Sequence, residues 1–572
     1  MIRHPRSLRR VAVSAAAVCA VVGVGLGAVP AAADPAVTDI RLLSFNDLHG
    51  NLEPPTGSSG RVTLADGNTV DAGGAAYLAA HLKNLRGQVK NSMVLSTGDN
   101  IGGSPLSSAL FHDEPTIDVL NTMGITASVV GNHELDEGYD ELNRIQNGGC
   151  HPVDGCQFQP AYNGANFLFL SANVTAEQTG QPAFKPYTIS NMNGIPVGVI
   201  GATLEDLPTL VSPDGIKGLK VGPEIDAINR YADELDRQGV KTIVVSLHQG
   251  DNTEGGGPDD CRTAPGPARR IAEQVSPKVD VVFTAHSHQQ YVCSVTDPAG
   301  QPRTMIQGSS FGRIISTVDL QVDRRTKDVV RSTMKAQNNV VTRDVTADPK
   351  VQALVDQAVQ KSQPIANRQV GTIGADIVKT TTPSGESPLG NLIADAQLAA
   401  TRSAGAQIAL MNPGGVRADL TYASSPAEEG NGVVTYGEAY TVQPFANIMQ
   451  TITLSGAQLK AVLEQQWLPK PDGSVQARML QPSSTLHYTW SESAPIGSKI
   501  SGITIDGQAV QPDATYRVSV NNFLAAGGDG FSALTGGTEL TGGPIDLDAF
   551  NEYLSANPGI APPATDRLTR VG

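Results

Sequence analysis

Ile40-Arg41-Leu42-Leu43-Ser44-Phe45-Asn46-Asp47-Leu48-His49 is the stretch that decides the fold. A short apolar run stops abruptly in a polar loop that carries an acid and an imidazole. The pattern returns four times. Met93-Val94-Leu95-Ser96 runs into Gly98-Asp99-Asn100, and Ala127-Ser128-Val129-Val130 into Gly131-Asn132-His133-Glu134. Thr242-Ile243-Val244-Val245-Ser246 runs into Leu247-His248-Gln249, and Val281-Val282-Phe283-Thr284 into Ala285-His286-Ser287-His288. Unbroken apolar runs, rather than alternating ones, mark strands buried on both faces. Helical patterns over residues 75–85 and 223–238 separate several of them. Strands alternating with helices predict an α/β layered domain. In such sheets the carboxyl ends of the strands share one edge, where ligands bind, so the five loops can meet in space.

The chain has 572 residues, more than one ordinary core absorbs, so two or more domains are expected. With 40% hydrophobic and 17% charged residues it is globular rather than disordered. Residues 348–368 are polar and helix-compatible and read as a linker helix. Beyond them, helical patterns at 389–400 and 455–466 and a strand at 516–520 indicate a second α/β region. The expected organisation is a signal segment at 1–33, a first domain at 38–340, a linker helix at 341–368 and a second domain at 369–570.

Arg3, Arg6, Arg9 and Arg10 precede an apolar run over residues 11–29, which ends in Pro30-Ala31-Ala32-Ala33. This is the pattern of an export signal cleaved near Ala33, and it predicts a secreted protein. No other stretch approaches the roughly 20 apolar residues that span a bilayer, so no stable membrane anchor is expected. The net charge is −15, and removing the arginines of the signal makes it more negative. Bulk attraction to a nucleic-acid polymer is thereby excluded, and a phosphate-bearing substrate needs a local positive site. Four cysteines lie outside the signal: Cys150, Cys156, Cys261 and Cys293. An even number in an exported chain favours two disulfides, with three pairings open. Pairing Cys150 with Cys156 closes a short loop and leaves Cys261 for Cys293. A four-cysteine zinc site would need close-spaced pairs that this chain lacks.

Imidazole and carboxylate donors suit zinc, manganese and similar divalent ions. Taken singly, an Asp after a strand is a turn or helix cap, and a lone His is solvated or packed in a core. Jointly the pattern is stronger, because five of the ten histidines sit in such loops within one domain. Asp47, His49, Asp99, Asn132, His248, His286 and His288 are more donors than one metal takes. They suit a pair of cations sharing a carboxylate, about 3.5–4 Å apart, the arrangement that clamps a phosphoryl group during transfer.

The order Asp47-x-His49, Gly98-Asp99-x-x-x-Gly103, Gly131-Asn132-His133-Glu134, His248, His286-x-His288 resembles the calcineurin-like metallophosphoesterases. More closely, it resembles the secreted 5′-nucleotidase family, which includes UDP-sugar hydrolases and cyclic-nucleotide phosphodiesterases. The resemblance runs over nearly the whole chain beyond the signal. It implies an N-terminal four-layer α/β/β/α metallophosphoesterase domain and a C-terminal α/β nucleotide-binding domain. It also implies a first metal on Asp47, His49, Asp99 and His288 and a second on Asp99, Asn132, His248 and His286, with Asp99 bridging. His133 and Asp136 match the catalytic dyad, in which a protonated imidazole stabilises charge on the phosphoryl group while water acidified by the ions attacks phosphorus in line. The last motif opens with Gly in the family and with Ala285 here.

In the second domain, Glu386-Ser387-Pro388-Leu389-Gly390-Asn391-Leu392 and Asn412-Pro413-Gly414-Gly415-Val416-Arg417 resemble the family's opening motif and its phosphate-binding loop. Gln443-Pro444-Phe445-Ala446-Asn447 and the segment from Asn522-Phe523 to Asp529-Gly530-Phe531 match two more. The resemblance implies that Asn412 and Arg417 hold the phosphate side and that Phe445 and Phe523 sandwich the base. It places Asn447 on the base edge and Asp529 on the ribose hydroxyls. Many relatives carry an Arg just before Glu386, where this chain has Gly385. A lost charge-assisted contact there weakens 5′-monophosphate binding by about 1.5–3 kcal/mol. The expected activity is hydrolysis of extracellular nucleotides to nucleoside and phosphate. The alternatives are 2′,3′-cyclic-nucleotide phosphodiesterase with 3′-nucleotidase activity, hydrolysis of UDP-sugars or nucleotide diphosphates, and non-catalytic nucleotide binding.

Overall fold

Leu42 and Leu43 are adjacent in one strand and both wholly buried, yet they enter different cores. Successive side chains of a strand point to opposite faces. Along Val37–Phe45, Ile40 and Leu42 therefore join the core between two sheets, while Leu43 and Phe45 join the core beneath helices. That double burial is why the sequence here is an unbroken apolar run. The computed structural model describes residues 36–572, apart from 212–214, 254, 264–265, 425–427 and 470–474. The expected signal segment lies outside the described residues.

The first sheet has the spatial order Lys335–Val340, Ile314–Asp323, Val37–Phe45, Ser92–Ser96, Ala127–Val129, Leu168–Leu170. The second has the order Gln290–Thr296, Pro302–Gly308, Val281–Thr284, Thr242–His248, Ile195–Thr203, Tyr187–Met192. Their facing sides share one core, with Leu42, Met93 and Leu95 from one sheet against Val199, Val244 and Phe283 from the other. The helices Ala75–Gly87, Glu114–Met123 and Tyr139–Asn147 cover the outside of the first sheet, and Glu224–Arg237 and Pro267–Gln274 cover the second. This is the expected four-layer α/β/β/α architecture. The central strands are parallel. Antiparallel strands border them, such as Ile314–Asp323 beside Val37–Phe45 and Tyr187–Met192 beside Ile195–Thr203.

The helix Pro349–Ala366 starts where the Asp348 carboxylate accepts the backbone N–H of Lys350 and Val351. It is read as a linker in the sequence. Its Val351, Val355 and Ala358 are buried in the core of the first domain. The second domain is a mixed α/β unit built on a five-stranded sheet, ordered Gln481–Pro482, Ile408–Met411, Thr515–Asn521, Ile448–Ser455, Thr538–Ile545, and a separate four-stranded sheet. Helices Pro388–Thr401, Tyr436–Val442 and Asp546–Ala556 share one core, and Gly456–Glu464 packs into the other. Cys150–Cys156 and Cys261–Cys293 are disulfide-bonded. Among the described residues, no helix is long and apolar enough to cross a membrane.

Candidate active site

All five sequence-predicted loops lie just beyond parallel strands of the two sheets and converge on one edge. Backbone hydrogen bonds stitch the first two together: Asp47 N–H donates to Gly98, His49 to Asp99 and Gly50 to Asn100. The loop Asp99–Asn100 and Gly131 are anchored by one buried side chain, Glu134, whose carboxylate accepts N–H from Asp99, Asn100 and Gly131 at 2.8–2.9 Å. Sequence reading placed Glu134 in a motif without a role; its work is to bind two ligand loops to each other.

Asp47, His49, Asp99, His286 and His288 all have φ between 47° and 68°. That left-handed conformation costs a non-glycine residue about 1–2 kcal/mol. Five such residues at one sheet edge turn their side chains inward against local preference, a pattern typical of functional sites. Gly98, at φ 93°, is a real requirement: a Cβ there would lie 2.7 Å from Nδ1 of His248.

The donors form two adjoining groups. In one, Nε2 of His49 lies 3.2 Å from Nε2 of His288, and Nε2 of His288 lies 3.5 Å from Asp47 Oδ1. In the other, Nε2 of His248 lies 3.1 Å from Asp99 Oδ2 and 3.3 Å from Asn132 Oδ1, which is also 3.0 Å from Nδ1 of His286. Asp99 Oδ2 is 3.8 Å from His49 Nε2, so it faces both groups. All seven expected ligands are thus assembled, and Asp47, His49, Asp99 and His248 are essentially inaccessible to solvent.

Do these residues fit cations? The tautomers say so. His49 donates its Nδ1–H to the carbonyl of Gly102 and His248 donates its own to that of Thr97, each at 2.8 Å. Both rings are thereby held from behind with Nε2 turned into the cluster, which is how metal-binding imidazoles are oriented. Electrostatics agree. Burial, then the neighbouring Arg417, hold His49 well below the ordinary imidazole range. Burial also lowers His286, with His248 adding to it, and His288, with His49 adding to it. Those three rings are neutral donors. Burial would raise Asp99, but His248 and His133 outweigh it and hold the carboxylate well below its usual range. Burial opposes charge on His248 too, yet Asp99 outweighs it and pushes the group up to about 10.

Beside the cluster, His133 donates Nδ1–H to Asp136 Oδ2 at 2.8 Å. Burial disfavours its charge, but Asp136 and then Asp99 overcome that and raise it. Gly102 is the floor under this pair: at φ 77°, a Cβ would lie 2.7 Å from Asp136 Oδ2.

A cavity of about 500 Å³ opens here between the domains. Asn132, His133, Asp136 and His286 line it from one side, and Asn412, Arg417, Phe445, Asn447, Phe523 and Asp529 line it from the other. Arg417 sends Nη2 to within 3.3 Å of His49 Nε2. The Phe445 ring stacks on His133 at 5.6 Å and 18° in this conformation. Asn412 donates to Asp529 Oδ2 at 2.9 Å, and Asn447 donates to Asp546 Oδ2 at 3.1 Å. Gly385 is not part of the cavity wall. Its φ is 97°, and a Cβ there would lie 2.6 Å from Met479 Cγ, so the position has no room for a side chain. Arg478, which sequence reading missed, does line the cavity and ion-pairs with Asp529. It lies in none of the quoted motifs, so only its place in three dimensions reveals it.

Comparison with known proteins follows this division. Residues 40–290 match the family model for the calcineurin-like phosphoesterase, and residues 364–536 that for the 5′-nucleotidase, C-terminal domain. The chain is 34% identical over 527 residues to Endonuclease YhcR of Bacillus subtilis (strain 168), covering 90% of this chain and 40% of that protein. It therefore spans less than half the length of that relative. It is 33% identical over 558 residues to Cell wall protein Lmo0130 of Listeria monocytogenes, covering 92% of this chain and 68% of that one. The crystal structure of a 5′-nucleotidase precursor from Thermus thermophilus matches with a TM-score of 0.77 and 25% identity, over 93% of this chain and 99% of that chain.

Proposed function

The chain belongs to the calcineurin-like phosphoesterases that carry a 5′-nucleotidase C-terminal domain, and from that premise we propose that it hydrolyses extracellular nucleotides to nucleoside and phosphate at a pair of divalent cations. The observation that carries this reading is the cavity between the domains. It joins the ligand cluster, the His133–Asp136 pair and the aromatic and cationic side chains of the second domain.

Asp47, His49, Asp99 and His288 would hold one cation, and Asp99, Asn132, His248 and His286 the other. Zinc and manganese suit the mixed imidazole, carboxylate and amide set. When bound, two such ions supply Lewis acidity toward a phosphoryl group and toward water. The protein's own residues do the rest. Asp136 favours the charged form of His133, and His133, which lines the cavity, would stabilise negative charge on the phosphoryl oxygens and leaving group. Arg417 offers a planar, permanently charged fork to the same phosphate. Phe445 and Phe523 offer ring faces to the base, and stacking of this kind is worth about 1–3 kcal/mol per base. In this reading Phe445 leaves the His133 ring to take the base, and the chain after Pro349–Ala366 acts as a hinge. Secretion fits the expected signal at residues 1–33 and the two disulfides.

A second reading is cleavage of phosphodiesters or nucleotide diphosphates. It is favoured by the name of the Bacillus relative, an endonuclease. Metal analysis paired with phosphate release from 5′-AMP, ATP, UDP-glucose and 2′,3′-cyclic AMP separates the readings. The first expects 5′-AMP to have the highest kcat/KM. A metal-free protein with undiminished activity sinks both.

A further inference from the structure

Arg478 belongs to none of the motifs that carry the resemblance, yet it faces the substrate cavity. Its backbone is pinned, since its N–H donates to the Gln466 carbonyl at 2.8 Å. Its neighbours are pinned as well: Leu480 N–H donates to the Gln466 side chain, and Met479 packs against the Gly385 turn. From this fixed base Nη1 reaches to 3.4 Å from Asp529 Oδ1. Both side chains are only 13% exposed. The other carboxylate oxygen of Asp529 accepts from Asn412, whose own Oδ1 accepts from Asn521 at 3.0 Å. Asp529 also sits in the left-handed region at φ 56°. Among the described residues, one donor therefore sits on each oxygen of this buried carboxylate. A carboxylate oxygen has two lone-pair directions, so each keeps one for a further donor.

Asp529 lines the cavity, and the family resemblance places it on the ribose; two remaining acceptor positions suit the two adjacent hydroxyls of that sugar. A 2′-deoxyribose offers only one. Burial by itself favours the protonated carboxyl, which could accept from fewer donors, and a nearby guanidinium opposes that.

We propose that Arg478 is a positioning residue for sugar recognition: by pairing with Asp529 it orients that carboxylate toward the sugar, so that the enzyme prefers ribonucleotides to 2′-deoxyribonucleotides. This rests on the nucleotide reading given above. It adds a determinant that acts through Asp529.

The test compares kcat/KM for 5′-AMP and 5′-dAMP in the full chain, in Arg478→Met, in Arg478→Gln, in Asp529→Asn and in the double variant Arg478→Met/Asp529→Asn. The two Arg478 variants lack the charge but fill the space differently, so the test survives a folding failure in either. The wild-type AMP/dAMP ratio is expected to fall about tenfold on losing Arg478, mainly through KM for AMP, as for loss of a charge-assisted contact. Adding Arg478→Met to Asp529→Asn is expected to change the ratio no further, because the two act as one unit. Equal discrimination in wild type and in the Arg478 variants overturns this proposal alone. So does a loss that is the same for both sugars, or one that is additive with Asp529→Asn. Wild-type protein that hydrolyses p-nitrophenyl phosphate but neither nucleotide overturns the nucleotide reading, and this proposal with it.

Discussion

Arg417 of the second domain places Nη2 3.3 Å from Nε2 of His49, which belongs to the first ligand loop of the first domain. Because His49 donates its other ring nitrogen to Gly102, Nε2 is the acceptor in this contact. The guanidinium proposed to bind phosphate thus touches a ring nitrogen proposed to bind a cation. Phe445 makes the parallel contact, lying on the ring of His133. The two domains meet through groups that the proposed reaction would use.

The proposed hinge requires motion of one domain against the other. A disulfide engineered across the boundary in this arrangement is expected to abolish phosphate release, and reduction is expected to restore it. Undiminished turnover in the oxidised protein would rule the hinge out.

Arg417→Lys keeps the charge but loses the planar fork. KM for 5′-AMP is expected to rise about tenfold or more, with a smaller effect on kcat, as for loss of a charge-assisted bidentate contact. Steady-state kinetics read this directly. An unchanged KM would place the phosphate elsewhere.

Asp99 faces both ligand groups, so Asp99→Asn should affect two cations at once. Metal analysis is expected to give two ions per chain in the wild type and at most one in the variant, with activity lost. Chelation should also lower Tm, because ions that bind the folded chain and not the unfolded one stabilise the fold. Two ions retained by Asp99→Asn would refute a shared carboxylate.

His133→Gln removes the charged donor and leaves the ligand loops in place. A positioned acid of this kind contributes about 10²–10⁴ in rate, so kcat is expected to fall within that range. Single-turnover phosphate release separates this from slower binding. Full activity would remove His133 from the chemistry.

Away from the site, His112 donates to Glu137 at 2.7 Å and to Asp154 at 2.9 Å. The bond to Glu137 pushes it up to about 9 against the effect of burial, with Asp154 adding to the rise. A raised imidazole stabilises fully below its unfolded value of about 6.5 and loses that contribution as pH climbs through the folded one. The Tm difference between wild type and His112→Gln should be largest near pH ~6 and should shrink as pH passes ~9. A difference that is flat with pH would show that the bonds add nothing.

Strands such as Val37–Phe45 were legible because both faces are buried, which leaves an unbroken apolar run. The strand Thr538–Ile545 was not, since it is exposed along its length at a sheet edge and carries no burial pattern. The helix at Pro349–Ala366 was visible as a helix, but its packing into the first core depends on Val351 and Val355 finding partners far away in sequence. The kinds of donor, their loops and their order were written in the chain, because metal chemistry needs particular atoms and strand ends leave particular residues beside them. Left-handed turns at Asp47 and His288, the crowding that forbids a side chain at 385 and the reach of Arg478 into the cavity were decided only by folding. Each depends on what stands opposite a residue in space, and linear order carries no record of that distance.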